Sequence, residues 1–491
     1  MIKKFFRLLG LVLLTLVIVL LIKTVLYTSR QHTEQALPPV AIPDACLTHL
    51  SAAVKWKTIA QAEGQAFDSV PFLSLAAYLK QTYPLADSLL HRKTIAGLSL
   101  LYTWQGRNTK LKPLVLIGHL DVVPVLEGPG DKWDCPPFSG ELKDGSIYGR
   151  GTLDDKVNVV GLLESVEMLL KEGFQPDRTI YLAFGHDEET GGSGGAANLA
   201  AWFESQHIQA CCLLDEGLVI TTGIVPGISN KVALIGIAEK GYVSYELSVE
   251  TPGGHSSMPA PETPIGILSA AVSALEKHPM PAHITLPVEQ FLDYIGPEMP
   301  FLQRIAFANR WLLQGLIIRK YKASHAGNAI VRTTTAPTIF NSGTKDNVLP
   351  GYAAATINFR ILPGENAELV LQHIRKVIKD PRVQIKRVSH LSEPGGVSHT
   401  DCREFDALQK TIRQIFPQTL SAPSLVIAGT DARYYSNITE NLYRFVPLIA
   451  GPDDLQRIHG ANERISTENF KDCIRFYRQL ILNFNTAEET H

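Results

Sequence analysis

Three short apolar runs, each closed by acids or a histidine, limit the architectures open to this chain: residues 114–117 (LVLI), 179–184 (TIYLAF) and 211–214 (CCLL). They have the length of buried strands, and between the first two, residues 157–171 carry apolar side chains at helical spacing. Such alternation predicts an α/β domain with a largely parallel sheet. In sheets of that kind sites gather past the carboxyl ends of the strands. His119 and Asp121 follow the first run, Asp187, Glu188 and Glu189 the second, and Asp215 and Glu216 the third. Acids clustered beside core strands are hard to explain by packing, because each wants solvent, a proton or a cation.

Near Lys240 the pattern changes. Residues 242–250 alternate like a half-exposed strand, GGHSS leads into a helix over 264–277, and two strands (333–340, 353–361), a helix (365–378) and a last strand (383–388) follow. This β-α-β-β-α-β order predicts a small α+β, ferredoxin-like domain inserted into the first one. The expected layout is a first domain in two parts, 44–239 and 391–485, interrupted by the small domain over 240–390. An apolar, aromatic insert spans 279–328, and its Phe291, Phe301, Phe307, Trp311 and Leu316 are expected to fill the small domain's own core rather than line an acyl-chain groove.

The N-terminus is different in kind. Lys3, Lys4 and Arg7 precede residues 8–22, which carry no charge, and Lys23 can reach the interface along its own methylene stem. The segment 1–28 thus approaches the length of a membrane-spanning helix, and residues 29–43 form a polar, proline-containing tether. The basic flank predicts a cytoplasmic N-terminus with the remainder exported. No small-x-small cleavage pattern follows, which favours a retained signal anchor over a cleaved peptide. Elsewhere 46 Lys and Arg balance 48 Asp and Glu, so no basic field points to nucleic acid. Six scattered cysteines without a C-x-x-C pair exclude a structural zinc module or a disulfide-dense scaffold.

The chemistry lies in five pieces. His119 and Asp121 stand two apart, and a carboxylate at that spacing can hold the second ring nitrogen of a metal-binding histidine. Asp154 and Asp155 lie at a helix start, where alone they would read as caps. Glu188 and Glu189 open a glycine-rich loop, Asp215 ends a strand, and His459 sits in a polar loop, RIHGANE. Two histidines with several carboxylates suit zinc or a similar divalent ion. Two such ions can share a carboxylate and a water, and a carboxylate beside them can take the water's proton and return it to a leaving amine.

The motifs GHLDVVP, PPFSGELKDGSIYGRGTLDDK, GHDEETGG, LLDEG, GGHSSMP and RIHGANE, which cover most of residues 110–470, resemble the aminoacylase/carboxypeptidase family of di-zinc metallopeptidases. IAEKGYVSYEL, NAIVRTTTAPTIFNSG and the RFVPL…RIHGANERIS tail are similar to its carboxypeptidase S and N-fatty-acyl-amino acid synthase/hydrolase subgroup. The resemblance implies a zinc-exopeptidase-like catalytic domain over 44–239 and 391–485, a lid or dimerisation role for the inserted domain over 240–390, and two zinc ions per subunit. His119 would bind one and Glu189 the other, Asp154 would bridge them, and Asp215 and His459 would complete the two shells. Asp121 would orient His119, Glu188 would be the general base, and the Asp154–Asp155 peptide would be cis. His255 would stabilise an oxyanion, often across a dimer in relatives, and Arg360, with Asn347 as a partner, would engage the substrate carboxylate. The expected activity is hydrolysis of the amide of an N-acyl amino acid or short peptide. The competing reading is a non-catalytic binding protein on the same fold, against which the full set of inferred ligands and Glu188 stands. The family resemblance leaves a homodimer open.

Overall fold

The computed structural model describes residues 1–60, 67–125 and 132–485. Its centre is a mixed sheet of ten strands. Leu114–His119 lies between Ile180–Gly185 and Cys212–Asp215, parallel to both, and Leu442–Arg444 continues the parallel run beside Cys212–Asp215. An antiparallel hairpin, His91–Ile95 and Ser99–Trp104, extends one side. On the other side Val232–Glu239 runs antiparallel to Leu442–Arg444 and parallel to Leu420–Val426.

Every residue of Leu114–His119 is buried, as expected for a strand covered on both faces. The first two predicted helical and strand segments are found as Lys156–Lys171 and Ile180–Gly185. Helix Lys156–Lys171 packs against the central strand on one side and helix Thr467–Phe484 on the other. The last helix therefore returns the C-terminal part of the chain to the first core, where Ile474, Tyr477 and Ile481 join Val160, Leu163 and Val166. The parallel core points the ends of three strands, at His119, Gly185 and Asp215, toward one edge.

The small domain is a four-stranded antiparallel sheet, Thr334–Ser342, Tyr352–Ile361, Gly241–Glu250 and Gln384–Arg387 in spatial order. Helices Pro264–Lys277 and Ala367–Val377 close one face over Val243, Leu247, Leu268, Ile357, Phe359 and Ile374. The strand order, with the first and third strands at the centre, is that of a ferredoxin-like sheet.

The insert departs from expectation. Its aromatic residues do not fill the small domain's core. Helix Leu286–Ile295 packs on strand Leu420–Val426 of the large domain. Tyr294, Ile295 and Met299 enter the large core, while Val288, Leu292 and Ile317 form a cluster of their own that Phe291 and Phe307 cover. Phe301, Trp311 and Leu316 are exposed. Composition marked the insert as apolar and aromatic but could not say which body those side chains face. The N-terminal segment is one helix, Ile2–Val25, long and apolar enough to cross a membrane and unburied along its hydrophobic window. All six cysteines are free thiols.

One buried ion pair ties the sheet's second half together. Arg444 Nε stands 3.2 Å from Glu239 Oε2, and both side chains are almost fully buried. The same oxygen accepts the Thr430 amide at 2.9 Å and its hydroxyl at 3.1 Å, and Arg444 Nη1 donates to the Leu442 carbonyl. Removing one partner strands a buried charge. Arg444→Met is expected to lower stability by about 3–5 kcal/mol, read as a fall in the thermal unfolding midpoint. Arg444→Met with Glu239→Leu should recover most of that loss, and a double variant no more stable than the single one would refute the account.

Candidate metal centre

His119 ends the central strand with its ring buried. Its Nδ1 lies 3.0 Å from the Asp121 carbonyl oxygen and 3.3 Å from Asp121 Oδ1. Acceptors on that side hold a proton on Nδ1 and aim Nε2 outward, where it donates to Asp154 Oδ1 at 2.9 Å. The Asp121 carboxylate is itself a clamp. Its two oxygens accept the main-chain N–H groups of Glu188 and Glu189, at 3.1 and 3.0 Å. One buried aspartate thus couples the orientation of His119 to the turn that carries both glutamates.

Asp154 and Asp155 are not helix caps. Neither side chain bonds to the first turn of Lys156–Lys171. The peptide between them is cis. Asp155 Oδ2 accepts the His119 amide at 3.1 Å, in a space that only glycine at 118 leaves free, since a Cβ there would lie 2.6 Å from that oxygen. Asp154 divides its carboxylate between two histidines: Oδ1 faces His119 and Oδ2 lies 3.0 Å from His459 Nε2. His459 Nε2 is also 3.2 Å from Glu189 Oε2.

These separations bear on what the cluster can hold. Ligand atoms bound to one zinc-like ion at 2.0–2.2 Å in a tetrahedral arrangement stand about 3.3 Å apart. His119, Asp154 and Glu189 each offer an atom within 4.8 Å of the others. Glu189 Oε1 is buried without a hydrogen-bond partner among the described residues. A bridging carboxylate between two histidines, with an unsatisfied buried oxygen beside it, fits a divalent cation site of mixed nitrogen and oxygen ligands.

The titration behaviour points the same way. Desolvation raises Glu188 well above the usual carboxylate range, and the charges of Asp154, Glu189 and Asp121 raise it further. Asp215 is pushed up to about 6, first by burial. Burial would raise Asp154 too, but hydrogen bonds from His119 and His459 outweigh it and hold the carboxyl below its ordinary value. His459 is raised to about 10 by its bonds to Asp154 and Glu189. The protein alone supplies an excess of negative charge here that protons only partly neutralise.

Other sequence-inferred residues are placed differently. Asp215 is buried, but its oxygens accept main-chain N–H groups from Glu216 and Ala432, each at 2.8 Å. Glu216, given no role from sequence, is raised well above normal by burial and then by Asp154, Asp215 and Glu188. Its carboxyl is therefore the one from the LLDEG segment that feels Asp154 most. His255 and Asn347 lie on an exposed two-stranded ribbon of the small domain, where the Ser256 amide donates to the Asn347 carbonyl and His255 Nδ1 meets the Ser257 hydroxyl at 2.8 Å. Among the described residues neither bonds to the metal cluster. Arg360 stacks on Tyr242, 4.8 Å from the ring centroid.

Three further groups stand close to the cluster, one of them, Glu463, given no role from sequence, the other two in the GTDAR segment, residues 429–433, where the chain returns to the site. Glu463 is fully buried and accepts the amides of Gly151 and Leu153 at 2.9 and 2.8 Å. It also pairs with Arg150, whose second amino group donates to the His459 carbonyl. It braces the Asp154 and His459 loops at once. Its place in RIHGANE was the signal, four residues past the histidine. Arg433 donates to the Gly191 carbonyl at 2.9 Å, and its charge depresses Arg360 after burial does. Asp431 is buried beside Gly185 and Gly192, with both carboxylate oxygens unpaired among the described residues.

Residues 115–483 match the sequence profile of peptidase family M20/M25/M40. The chain belongs to that family. It is 43% identical to a probable carboxypeptidase S-like 2 of Dictyostelium discoideum, over 96% of this chain and 92% of the relative. It is 41% identical to N-fatty-acyl-amino acid synthase/hydrolase PM20D1 of Xenopus tropicalis, over 89% and 85%. The M20 family metallo-carboxypeptidase Sso-CP2 from Sulfolobus solfataricus shares the fold, with a TM-score of 0.65 and 20% identity, covering 89% of this chain and 99% of that one. This M20 chain is accordingly a metal-dependent hydrolase of the metallopeptidase class, as its motifs indicated.

The geometry separates Asp215 from Glu216. Glu216→Gln is expected to lower metal affinity about 10- to 100-fold, measured by metal content after graded chelation. Asp215→Asn, which keeps an acceptor for a main-chain N–H, should retain metal better. The opposite ranking would make Asp215 the donor.

Proposed function

We propose that this M20 chain is a membrane-anchored, extracytoplasmic amidohydrolase that works with two zinc ions. It would cleave the amide joining an acyl or peptidyl group to a C-terminal amino acid. The observation that carries this reading is the position of Glu188, on the same Asp121-clamped turn as Glu189 and at the edge of the His119–Asp154–Glu189–His459 cluster. His119, Asp154, Glu189 and His459 would hold the metals, with a further carboxylate from Asp215 or, as the bonding favours, Glu216. The ions supply Lewis acidity toward the amide carbonyl and lower the pKa of the attacking water.

The chain's own residues do the rest. Glu188 has a carboxyl whose pKa is raised, the state suited to accepting and then releasing a proton near neutral pH. It takes a proton from the attacking water and delivers it to the amide nitrogen as the C–N bond breaks, leaving a carboxylic acid and a free amine. Asp121 keeps His119 in its metal-facing tautomer, and Glu463 with Arg150 holds the two loops at fixed separation. Arg360 and Arg433, from different domains, are two half-buried like charges, and burial followed by the charge of Arg433 depresses Arg360, an arrangement suited to a substrate carboxylate held by a guanidinium fork. The exposed ribbon with His255 would act in oxyanion stabilisation only on domain closure or from a partner subunit.

Membrane attachment rests on the helix Ile2–Val25 and on how it leaves. Thr24 is buried, and Asn309 Nδ2 bonds to the Leu20 carbonyl and Thr24 hydroxyl at 3.1 and 3.3 Å. Gln31 then reaches Tyr294 and Ser421. Contacts of this sort favour a retained anchor, since cleavage would remove part of the packing.

Glu188→Ala is expected to keep its metal and lose at least three orders of magnitude in kcat, assayed with long-chain N-acyl-phenylalanine and with a Gly-Leu dipeptide. Chelation should abolish both activities in the unaltered enzyme. Near-normal kcat in the variant would remove Glu188 from the base role, and turnover of the dipeptide alone would sink the fatty-acyl reading. Arg360→Ala should raise KM about 10- to 100-fold, the worth of a charge-assisted hydrogen bond of about 1.5–3 kcal/mol, for substrates with a free carboxylate. Amidated analogues should show no such change; an equal loss on both would make Arg360 structural.

A further inference from the structure

The insert leaves large apolar side chains uncovered. On helices Phe301–Ala308 and Arg310–Tyr321, Phe301 is 59% exposed, Leu302 79%, Trp311 56%, Leu312 46% and Leu316 61%. Soluble surfaces seldom collect so many large apolar groups on one element unless something covers them. The helices are held by their other faces: Ile317 is buried with Val288 and Leu292, and Arg310 pairs with Asp293 at 2.7 Å. The outward apolar face is therefore fixed in direction.

What stands next to that face identifies its occupant. The turn between the two helices is bonded to the exit of the N-terminal helix through Asn309, as above. Arg304 donates to the Tyr27 carbonyl at 2.8 Å, and the Tyr27 hydroxyl donates to the Leu292 carbonyl. Gly296 lies directly under that ring, where a Cβ would come within 2.3 Å of the hydroxyl. Lys23 Nζ sits 5.5 Å from the centre of the Trp311 ring. If residues 8–22 lie in hydrocarbon, Lys23 marks the interface, the level at which tryptophan is favoured. Arg319, Lys320 and Lys322, exposed at the end of the second helix, are placed to meet anionic headgroups. An apolar face with basic residues beside it is the pattern of a helix lying in a membrane surface.

We propose that these two helices are seated in the lipid leaflet from which the N-terminal helix emerges, giving the enzyme a second, interfacial contact with the bilayer. The inference rests on the anchor reading of the N-terminal helix. The catalytic domain would then hold one orientation over the membrane instead of swinging on its tether.

The test uses the full-length protein in vesicles of phosphatidylcholine and phosphatidylglycerol. Leu13→Cys, Leu302→Cys, Leu316→Cys and, as an aqueous reference, Lys345→Cys would each carry a bimane label; amidase activity checks that each variant is folded. The native cysteines are buried, apart from the partly covered Cys402, so the introduced thiol reacts first. Nitroxide on the upper acyl chain should quench positions 302 and 316 strongly, while aqueous iodide quenches them several-fold less than position 345. Iodide quenching at 302 and 316 equal to that at 345, with lipid quenching at 13 alone, would overturn the inference and keep the anchor. Shielding of 302 and 316 from both quenchers would mean a protein partner, such as a second copy, and would also overturn it. Lipid quenching at 302 and 316 but not at 13 would reject the anchor, and with it the shared leaflet that the inference requires.

Discussion

Negative charges crowded at the carboxyl edge of a sheet repel one another, and the rest of this molecule is arranged around that repulsion. Asp154, Glu188, Glu189, Asp215 and Glu216 converge where three parallel strands end, and burial first, then the charges of neighbouring acids, raises Glu188 and Glu216 above the usual carboxylate range. Two histidines offset part of the charge: Asp154 lies between them, with one oxygen toward each. The remainder is the kind of excess that divalent cations neutralise, and it suits the cluster to hold them. A carboxylate kept partly protonated at its edge is then also a group able to carry a proton.

Such a cluster persists only if its members cannot move apart, and the bracing is done by groups that need not touch metal at all. Asp121 binds two consecutive amides of the Glu188–Glu189 turn and contacts His119, so a single buried carboxylate sets three positions. Glu463 and Arg150 do the same for the Asp154 and His459 loops, although these lie some three hundred residues apart in the chain. Farther out, the Arg444–Glu239 pair holds the Thr430 turn and with it the backbone amide of Ala432, which in turn holds Asp215. Each brace uses a carboxylate satisfied by main-chain donors, the means by which a buried charge is kept at low cost.

The fold was legible because its signals are local. Short β-branched runs and the helical spacing over 157–171 place strands and helices within a residue or two of where they lie, and the 264–277 helix is found at its expected bounds. His119, Asp154, Glu189 and His459 were visible through motif context, and the structure brings the four together. Glu216 was given no role beside Asp215 because two adjacent acids at a strand end look equivalent in sequence. Glu463 was hidden for a different reason: a charged residue in a loop reads as solvated, and only long-range packing buries it. The insert was misjudged for a third. Hydrophobicity in sequence says that a face avoids water, not whether protein or lipid replaces it.

Connectivity bears on that last ambiguity where composition does not. Had the apolar face of helices Phe301–Ala308 and Arg310–Tyr321 pointed away from the N-terminal helix, a protein partner would be the simpler cover. Instead, Asn309 is bonded to the backbone of that helix at Leu20, one turn before Lys23, and Lys23 lies by the Trp311 ring. An anchor that ended in a free tether would place no constraint on the domain beyond it. Here Tyr27 and Gln31 continue the contact into helix Leu286–Ile295 and strand Leu420–Val426, the latter a strand of the sheet that carries the metal centre. The exit of the helix, the exposed insert and the catalytic sheet are thus one continuous packed body, and any surface that fixes the first two in space fixes the orientation of the third.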